Sequence, residues 1–387
     1  MSGRKNILSK FQLLSSADMS QLSTNSPVTN IQFLDNIAIQ CNFTGSPSGS
    51  INIQVSNDYQ SDFMGNVIDS GNWITVASAG TAGGSPAYFD LNQMAAPYIR
   101  VNYTSTGIES GSVQSIADTG ALSQFELTFE AKASMVDGEY LVLSDANGNE
   151  WAIASNISGT TPVPTGAIWT AIPSGRKAQV DLSSGAIVSA ADVAAAFLAA
   201  FNLLSGFSAL ITLDDSAADG TMLVNSLKMG VIANPQSLLE DDSGAGGITF
   251  VSNVVGASSN LLNTYFIGSS TLSGGAISHW LIYINVNSEG VAPADPNPAY
   301  SWTKIAASVA AGANANTVAA AIKTAMDASL TAQLSTPVTN VADLVSFSQG
   351  RAGPGSLSDS IAAPCGFTFV YNGLSGSLNA FISAKMI

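Results

Sequence analysis

At 387 residues the chain exceeds one ordinary domain of about 150 residues, so two or three are expected. Hydrophobic residues make up 46% and can fill sizeable cores, whereas charged residues are only 10% against a usual share of about 25%. The net charge of −15, from 12 basic and 27 acidic residues, argues against nucleic acid as a partner, because phosphate binding needs clustered Lys and Arg. Arg4-Lys5 and Arg176-Lys177 are the only adjacent basic pairs.

No run approaches the roughly 18 apolar residues of a membrane span, so no membrane partner is expected. Met1 to Lys10 carries early positive charge without the apolar stretch of a signal peptide. A surface kept soluble by Ser, Thr, Asn and Gln suits extracellular and virion proteins. A virion protein, assembled in the host cytoplasm and exposed after lysis, reconciles that surface with the lack of an export signal. Cys41 and Cys365 could form one long-range disulfide, but free buried thiols are expected, since a disulfide scaffold shows denser cysteines.

Residues 1–24 are polar and weakly patterned and are expected as an arm. From Val28 the pattern becomes short β-type runs: 31–43, then Ile51, Ile53 and Val55 alternating with Asn52 and Gln54 after the turn cluster 45–49. Trp73 to Val76, Tyr88 to Leu91 and Tyr98 to Tyr103 follow. Short strands at roughly ten-residue spacing predict an antiparallel β-sandwich. Asp90 to Tyr103 is a turn leading into a strand whose continuation does not follow it. Gly376 to Ile387, with Leu378, Ala380, Ile382 and Ala384 alternating with polar residues, reads as that continuation. The sandwich is then 25–106 plus 376–387, with the intervening chain inserted. Gly111 to Ile116 is the alternative closing strand.

The insert contains a duplication. Val193, Phe197 and Phe201 fall at helical spacing after Ser189, a plausible N-cap with Asp192 three residues on, and Val318, Ile322 and Met326 repeat that spacing. Ahead of each helix lie an apolar strand (140–143 and 280–284) and a Trp-Thr pair (Trp169-Thr170 and Trp302-Thr303). After each come Gly-Ile-Thr-Phe-Val-Ser-Asn (247–253) and Gly-Phe-Thr-Phe-Val-Tyr-Asn (366–372). Two tandem α+β modules are predicted, 120–256 and 260–375, each with one helix on an antiparallel sheet. The fold class is therefore mainly β: a sandwich completed by the C-terminal strand, carrying two inserted modules.

No stretch carries catalytic chemistry, and no catalytic, cofactor or metal residue is assigned. His279 has no second His and no nearby Cys, so a structural or surface role is expected. Asp214-Asp215, Glu240-Asp241-Asp242 and Asp145 to Glu150 fall in turn-rich stretches and are expected as solvated loop charges; the last lacks the full calcium-loop pattern. Ser243 to Gly247 does not lead from a strand into a helix, as a phosphate loop must. Tyr59, Phe63, Trp73 and Tyr88 could form a sugar-stacking platform, but most are expected in the core.

The runs 31–40 and 53–59, Asn72-Trp73, Asp90 to Gln93, Ala96 to Val101 and Leu378 to Met386 resemble a family of small virion-associated proteins of tailed bacteriophages. In that family the Ile-Arg-Val strand is followed, after a brief Gly/Ser turn, by the strand ending in Ser-Ala-Lys. Here the duplicated insert separates the two. The resemblance covers about 115 residues at the chain ends. It implies a virion structural protein: a head decoration, head fibre or tail component, exposed on the particle and without catalysis. Its partners would be major capsid or tail proteins and further copies of itself. The alternative is a receptor module or depolymerase acting on host surface glycans.

Overall fold

The computed structural model describes residues 9–386 apart from 33, 93, 161 and 162, so Arg4-Lys5 lies outside the described residues. The first ten strands are β1 (Ser9–Asp18), β2 (Ser23–Asn25), β3 (Thr29–Asn30), β4 (Leu34–Gly45), β5 (Gly49–Ser56), β6 (Gln60–Ser61), β7 (Val67–Asp69), β8 (Ile74–Gly80), β9 (Ala87–Asn92) and β10 (Tyr98–Ser105). The last strand of the chain is β27 (Gly376–Met386). Two facing sheets result, β1-β27-β4-β9 and β2-β10-β5-β8, with β3 also on β10; β6 and β7 form a separate hairpin. The core is the apolar phase of each alternation: Ile37, Ile39 and Cys41 meet Ile51, Ile53, Ile99, Val101 and Tyr103 across the sandwich, all fully buried.

The C-terminal strand completes this sandwich from the middle of a sheet. β27 runs antiparallel to β4, from Gly376 opposite Gly45 to Met386 opposite Leu34, and its other edge pairs with β1. It lies in the sheet facing that of β10, so it continues the chain past Tyr103 without being that strand's hydrogen-bonded neighbour. The expectation of an N-terminal arm is corrected from Ser9 onward. β1 covers the outer edge of β27, with Leu13, Leu14 and Met19 buried. Register shifts at Gln12/Leu14 and Leu14/Ala17 let adjacent Leu13 and Leu14 both turn inward, which erases the period-2 signal.

Between β10 and β27 the chain forms β11 (Ser110–Gln114), β12 (Leu122–Thr128), β13 (Tyr140–Ser144), β14 (Glu150–Asn156), α1 (Ala167–Ala171), β15 (Lys177–Asp181), α2 (Ala190–Asn202), β16 (Ile211–Asp214), β17 (Thr221–Met229), β18 (Gln236–Leu238) and β19 (Thr249–Val254). Then come β20 (Tyr265–Thr271), β21 (Ile277–Val286), β22 (Trp302–Val309), α3 (Ala315–Ser329), β23 (Leu334–Val341), β24 (Leu344–Gln349), β25 (Ser356–Asp359) and β26 (Thr368–Asn372). Module 1 has the antiparallel sheet β16-β17-β12-β19 and a second sheet β15-β14-β13-β18; module 2 repeats this order as β23-β24-β11-β26 and β22-β21-β20-β25. The pairs β14/β15 and β21/β22 are parallel. The long helices α2 and α3 each touch strands of both sheets of their module and close one flank of its core. Ser189 and Asp192 form a capping box on α2, and Asn314 caps α3.

This order places β11 in module 2, not in the sandwich. Module 1 is thus inserted after the first strand of module 2, which is itself inserted before the last strand of the sandwich. Strand register also corrects the alignment of the copies. Tyr140 corresponds to Tyr265, Trp151 to Trp280 and Lys177 to Lys304. Trp169 lies on α1 while Trp302 opens β22, so the two Trp-Thr pairs are not equivalent. The Thr-Phe-Val strands do correspond, as β19 and β26.

A buried carboxylate ties both legs of each insertion. Glu109, after β10, accepts from the Tyr371 hydroxyl, from Gln349 Nε2 at 3.0 Å and from the Leu374 amide at 2.8 Å, joining the entry of module 2 to its exit. Asp118 accepts from the Ser259 hydroxyl at 2.5 Å and from the amides of Gly120 and Gly312 at 3.1 and 2.9 Å, doing the same for module 1. Such charge-assisted bonds contribute about 1.5–3 kcal/mol each.

Candidate interaction site on the sandwich

Several aromatics of the first domain lie outside the core that holds Phe89 and Tyr103. Tyr59, Trp73 and Tyr98 gather at one end of the β10-β5-β8 sheet, where Tyr59 meets Trp73 at 5.7 Å and Tyr98 edge-on at 5.2 Å between ring centroids. The Arg100 guanidinium lies 4.2 Å over the Trp73 ring, and its Nε donates to Gln54 Oε1 at 2.8 Å. Burial lowers the Arg100 pKa from its ordinary value. Tyr59, Trp73, Tyr98 and Arg100, with Ser26, Asn30 and Val67, line a depression of about 720 Å³. Trp73 is fixed by donating Nε1–H to the Ser70 carbonyl at 2.8 Å.

Asp58 holds the two strands of chain that meet here. Its carboxylate accepts from the Asn72 amide at 2.7 Å, the Asn72 side chain at 2.6 Å and the Ser56 hydroxyl at 2.8 Å. Those bonds to the charged form, Asn72 first, hold its pKa down to about 2. Asp62 organises the β6–β7 tip in the same way, accepting from the amides of Met64 and Asn66 and from the Asn66 side chain. Gly65 takes φ +86° to close this turn. The result is an ordered hairpin that presents Phe63, 99% exposed, and Met64, 74% exposed, together with exposed Val67 and Ile68. Tyr88, on the edge strand β9, is exposed on the other sheet. The expectation that most of Tyr59, Phe63, Trp73 and Tyr88 pack inward is therefore corrected: none of the four is buried, because the hairpin stands outside the two sheets and β9 points Tyr88 away from the core phase.

A second exposed apolar element lies on module 1. β19 is an edge strand with all six residues exposed, and Phe250, Val251 and Val254 stand on it with Val255 just beyond. Its equivalent β26 alternates, with Phe369 and Tyr371 half-buried and the other three residues exposed.

The other sequence candidates serve their own surroundings. His279 stacks on Tyr300 at 4.1 Å and lies 5.3 Å from Trp302. Asp145 is buried, and its carboxylate accepts from the amides of Asn147 and Asn149 and from the Asn149 side chain, closing the β13–β14 turn. Asp242 accepts from the Tyr140 hydroxyl and from the Ile168 amide at 3.0 Å, anchoring α1, so it is not a solvated loop charge. Asp215 is pushed up by burial and then by Asp219 and Asp214. Gly246 of the glycine-rich stretch donates to the Ser237 carbonyl at 2.8 Å. Arg176 lies over the ring of Trp151, and Lys177 over that of Trp169. Cys41 and Cys365 are free, occupy the separate cores of the sandwich and module 2, and burial raises each thiol pKa to about 12. Among the described residues no three His, Cys, Asp or Glu side chains are grouped to hold a metal, and no helix is long and apolar enough to cross a membrane.

Sequence reasoning missed the hairpin because Phe63-Met64 in a turn is indistinguishable from a core residue flanked by polar ones. The available signal was Asp62-Phe-Met-Gly65, a turn sequence that cannot also be an inward-facing strand. No family model, no curated protein and no solved structure matches this chain.

Proposed function

We propose that this chain is a non-catalytic structural protein of a tailed-bacteriophage particle, docking through its sandwich on capsid or tail proteins while the two nested modules project outward. The observation that carries the docking role is the β6–β7 hairpin. Four apolar side chains face solvent on a tip held rigid by Asp62, where a mobile loop would lose ordering entropy on association. The nested topology supports projection, because each insertion leaves and returns through one tied point at Glu109 or Asp118. The exposed edge strand β19 supplies a further surface for subunit contact. The virion assignment rests on the sequence resemblance and on a surface sparse in charge.

The test uses phage particles assembled with the native chain or with a Phe63→Ser, Met64→Ser double variant. Quantitative mass spectrometry of purified particles is expected to find the native chain at a defined copy number and the variant depleted at least tenfold, with unchanged thermal stability of the free protein. Absence of the native chain from particles overturns the virion reading, and equal incorporation of the variant overturns the docking role.

A second reading, host-glycan binding, is favoured by the Tyr59, Trp73 and Tyr98 cluster beside polar groups in an open depression. A glycan array with the purified protein distinguishes it: binding lost in Trp73→Ala supports it, and an empty array leaves the structural role.

A further inference from the structure

We propose that the depression lined by Tyr59, Trp73, Tyr98 and Arg100 binds sugars that carry a carboxylate, uronic or sialic acids, and that Arg100 is the residue that selects the acid. The proposal rests on the host-glycan reading of this depression and narrows it to one charge class. The depression of about 720 Å³ has Arg100 as the one charged residue in its lining and no carboxylate, in a chain with 27 acidic and 12 basic residues. Asp58 and Asp62 stand on the neighbouring loops, but their oxygens accept from Ser56 and Asn72 and from Met64 and Asn66. Among the described residues Arg100 has no ion pair. The positive charge therefore faces the depression uncompensated.

The guanidinium is also fixed in place. It lies 4.2 Å over the Trp73 ring, and Nε–H donates to Gln54 Oε1 at 2.8 Å, while its terminal N–H groups have no protein acceptor among the described residues. A planar fork held in this way matches a carboxylate through two parallel hydrogen bonds. Because Arg100 is half-buried, a neutral sugar covering it would strip water from the cation without supplying a charge in return. One cation balances one carboxylate, whereas a sugar phosphate, at about −1.5 to −2 near neutral pH, would bring an excess of negative charge. The rest of the lining suits a sugar ring. Trp73 is locked by the Ser70 carbonyl, and with Tyr59 and Tyr98 it offers rigid apolar surface to the C–H face of a pyranose. The Ser61 and Ser70 hydroxyls and the Asn30 side-chain N–H groups have no protein partner among the described residues, which leaves them for sugar hydroxyls.

The experiment is an NMR titration of the full chain, labelled at the tryptophan indole nitrogens, with trigalacturonate, with sialyllactose, and with the carboxyl methyl ester of each. Saturable shifts are expected at the Trp73 indole N–H and not at that of Trp280, which is buried in module 2. At least one acid is expected to bind tenfold or more tighter than its own ester, a comparison made on the native chain that needs no variant to fold. Arg100→Gln is expected to lower that acid to the affinity of its ester and to leave the ester unchanged. Equal affinity of acid and ester, or an acid preference that survives Arg100→Gln, overturns the proposal and leaves the glycan reading standing. N-acetylglutamate binding as tightly as the acidic sugars assigns Arg100 to a protein carboxylate and overturns the proposal too. No shift at Trp73 with any of these sugars overturns it as well, and the glycan reading falls with it when the glycan array is also empty.

Discussion

Removal of β27 tests the most unusual feature of the chain, a central strand supplied by its last residues. Leu378, Ala380 and Ile382 are fully buried between β1 and β4. Leu378→Ala and Ile382→Ala each delete a core side chain at a cost of about 2–5 kcal/mol. The two sites are about 13 Å apart along the strand, so their effects add, to about 4–10 kcal/mol. A domain of this kind has about 5–15 kcal/mol in total. The double variant therefore brings the sandwich to the edge of unfolding, and truncation after Ser375 unfolds it outright, because β1 and β4 then lose their common partner. The sandwich core shares no residue with the cores of the modules, so α2 and α3 are expected to stay folded. Hydrogen-exchange mass spectrometry reads both at once: peptides from β4 and β10 should lose protection while those from Ala190–Asn202 and Ala315–Ser329 keep it. Retained protection of β4 and β10 after truncation would refute the reasoning, as would simultaneous loss from both helices.

Two further outcomes follow from individual contacts. A Cβ at Gly111 would lie 2.6 Å from the Phe347 ring, so Gly111→Ala is expected to destabilise module 2 by about 1–3 kcal/mol in denaturant titration, and Phe347→Leu to relieve part of that loss. Glu139 is buried with Oε1 unpartnered; burial, reinforced by Glu130, raises its carboxyl above the ordinary 4.5 against the opposing amides of Val136 and Gly247. The folded state then holds this proton at higher pH than the unfolded chain, so the contribution is present below about 4.5 and is lost as pH rises through the raised value. Native stability minus that of Glu139→Gln, measured from pH 4 to 8, should fall across that window; a flat difference contradicts the assignment.

Much of the fold was legible because alternation and helical spacing are local. Ile51, Ile53 and Val55 announced a half-buried strand, Ser189 with Asp192 announced a helix start, and the duplicated Thr-Phe-Val runs announced equivalent strands β19 and β26. The sequence also marked Gly376 to Ile387 as a strand without a home in the repeat. Which strands neighbour one another was not legible, since hydrogen-bond partners depend on chain separated by hundreds of residues. Leu13 and Leu14 hid β1 because a bulge breaks the period on which strand recognition relies. Likewise, the Trp-Thr pairs matched in sequence but not in space, because only register against Ala152 and Leu281 reveals that Lys177 and Lys304 are the equivalent residues.

By itself the sequence determined the composition of the surface, the strand-rich class, the two helices and the existence of a repeat, all properties that side-chain order imposes within a few residues. Tertiary structure alone decided that β11 belongs to module 2, that module 1 is nested within it, and that β27 stands between β1 and β4. It also decided that Phe63 faces solvent while Trp169 is buried. The physical reason is that an apolar side chain is defined by its periodicity but buried only by a partner surface, and that surface comes from a distant part of the chain.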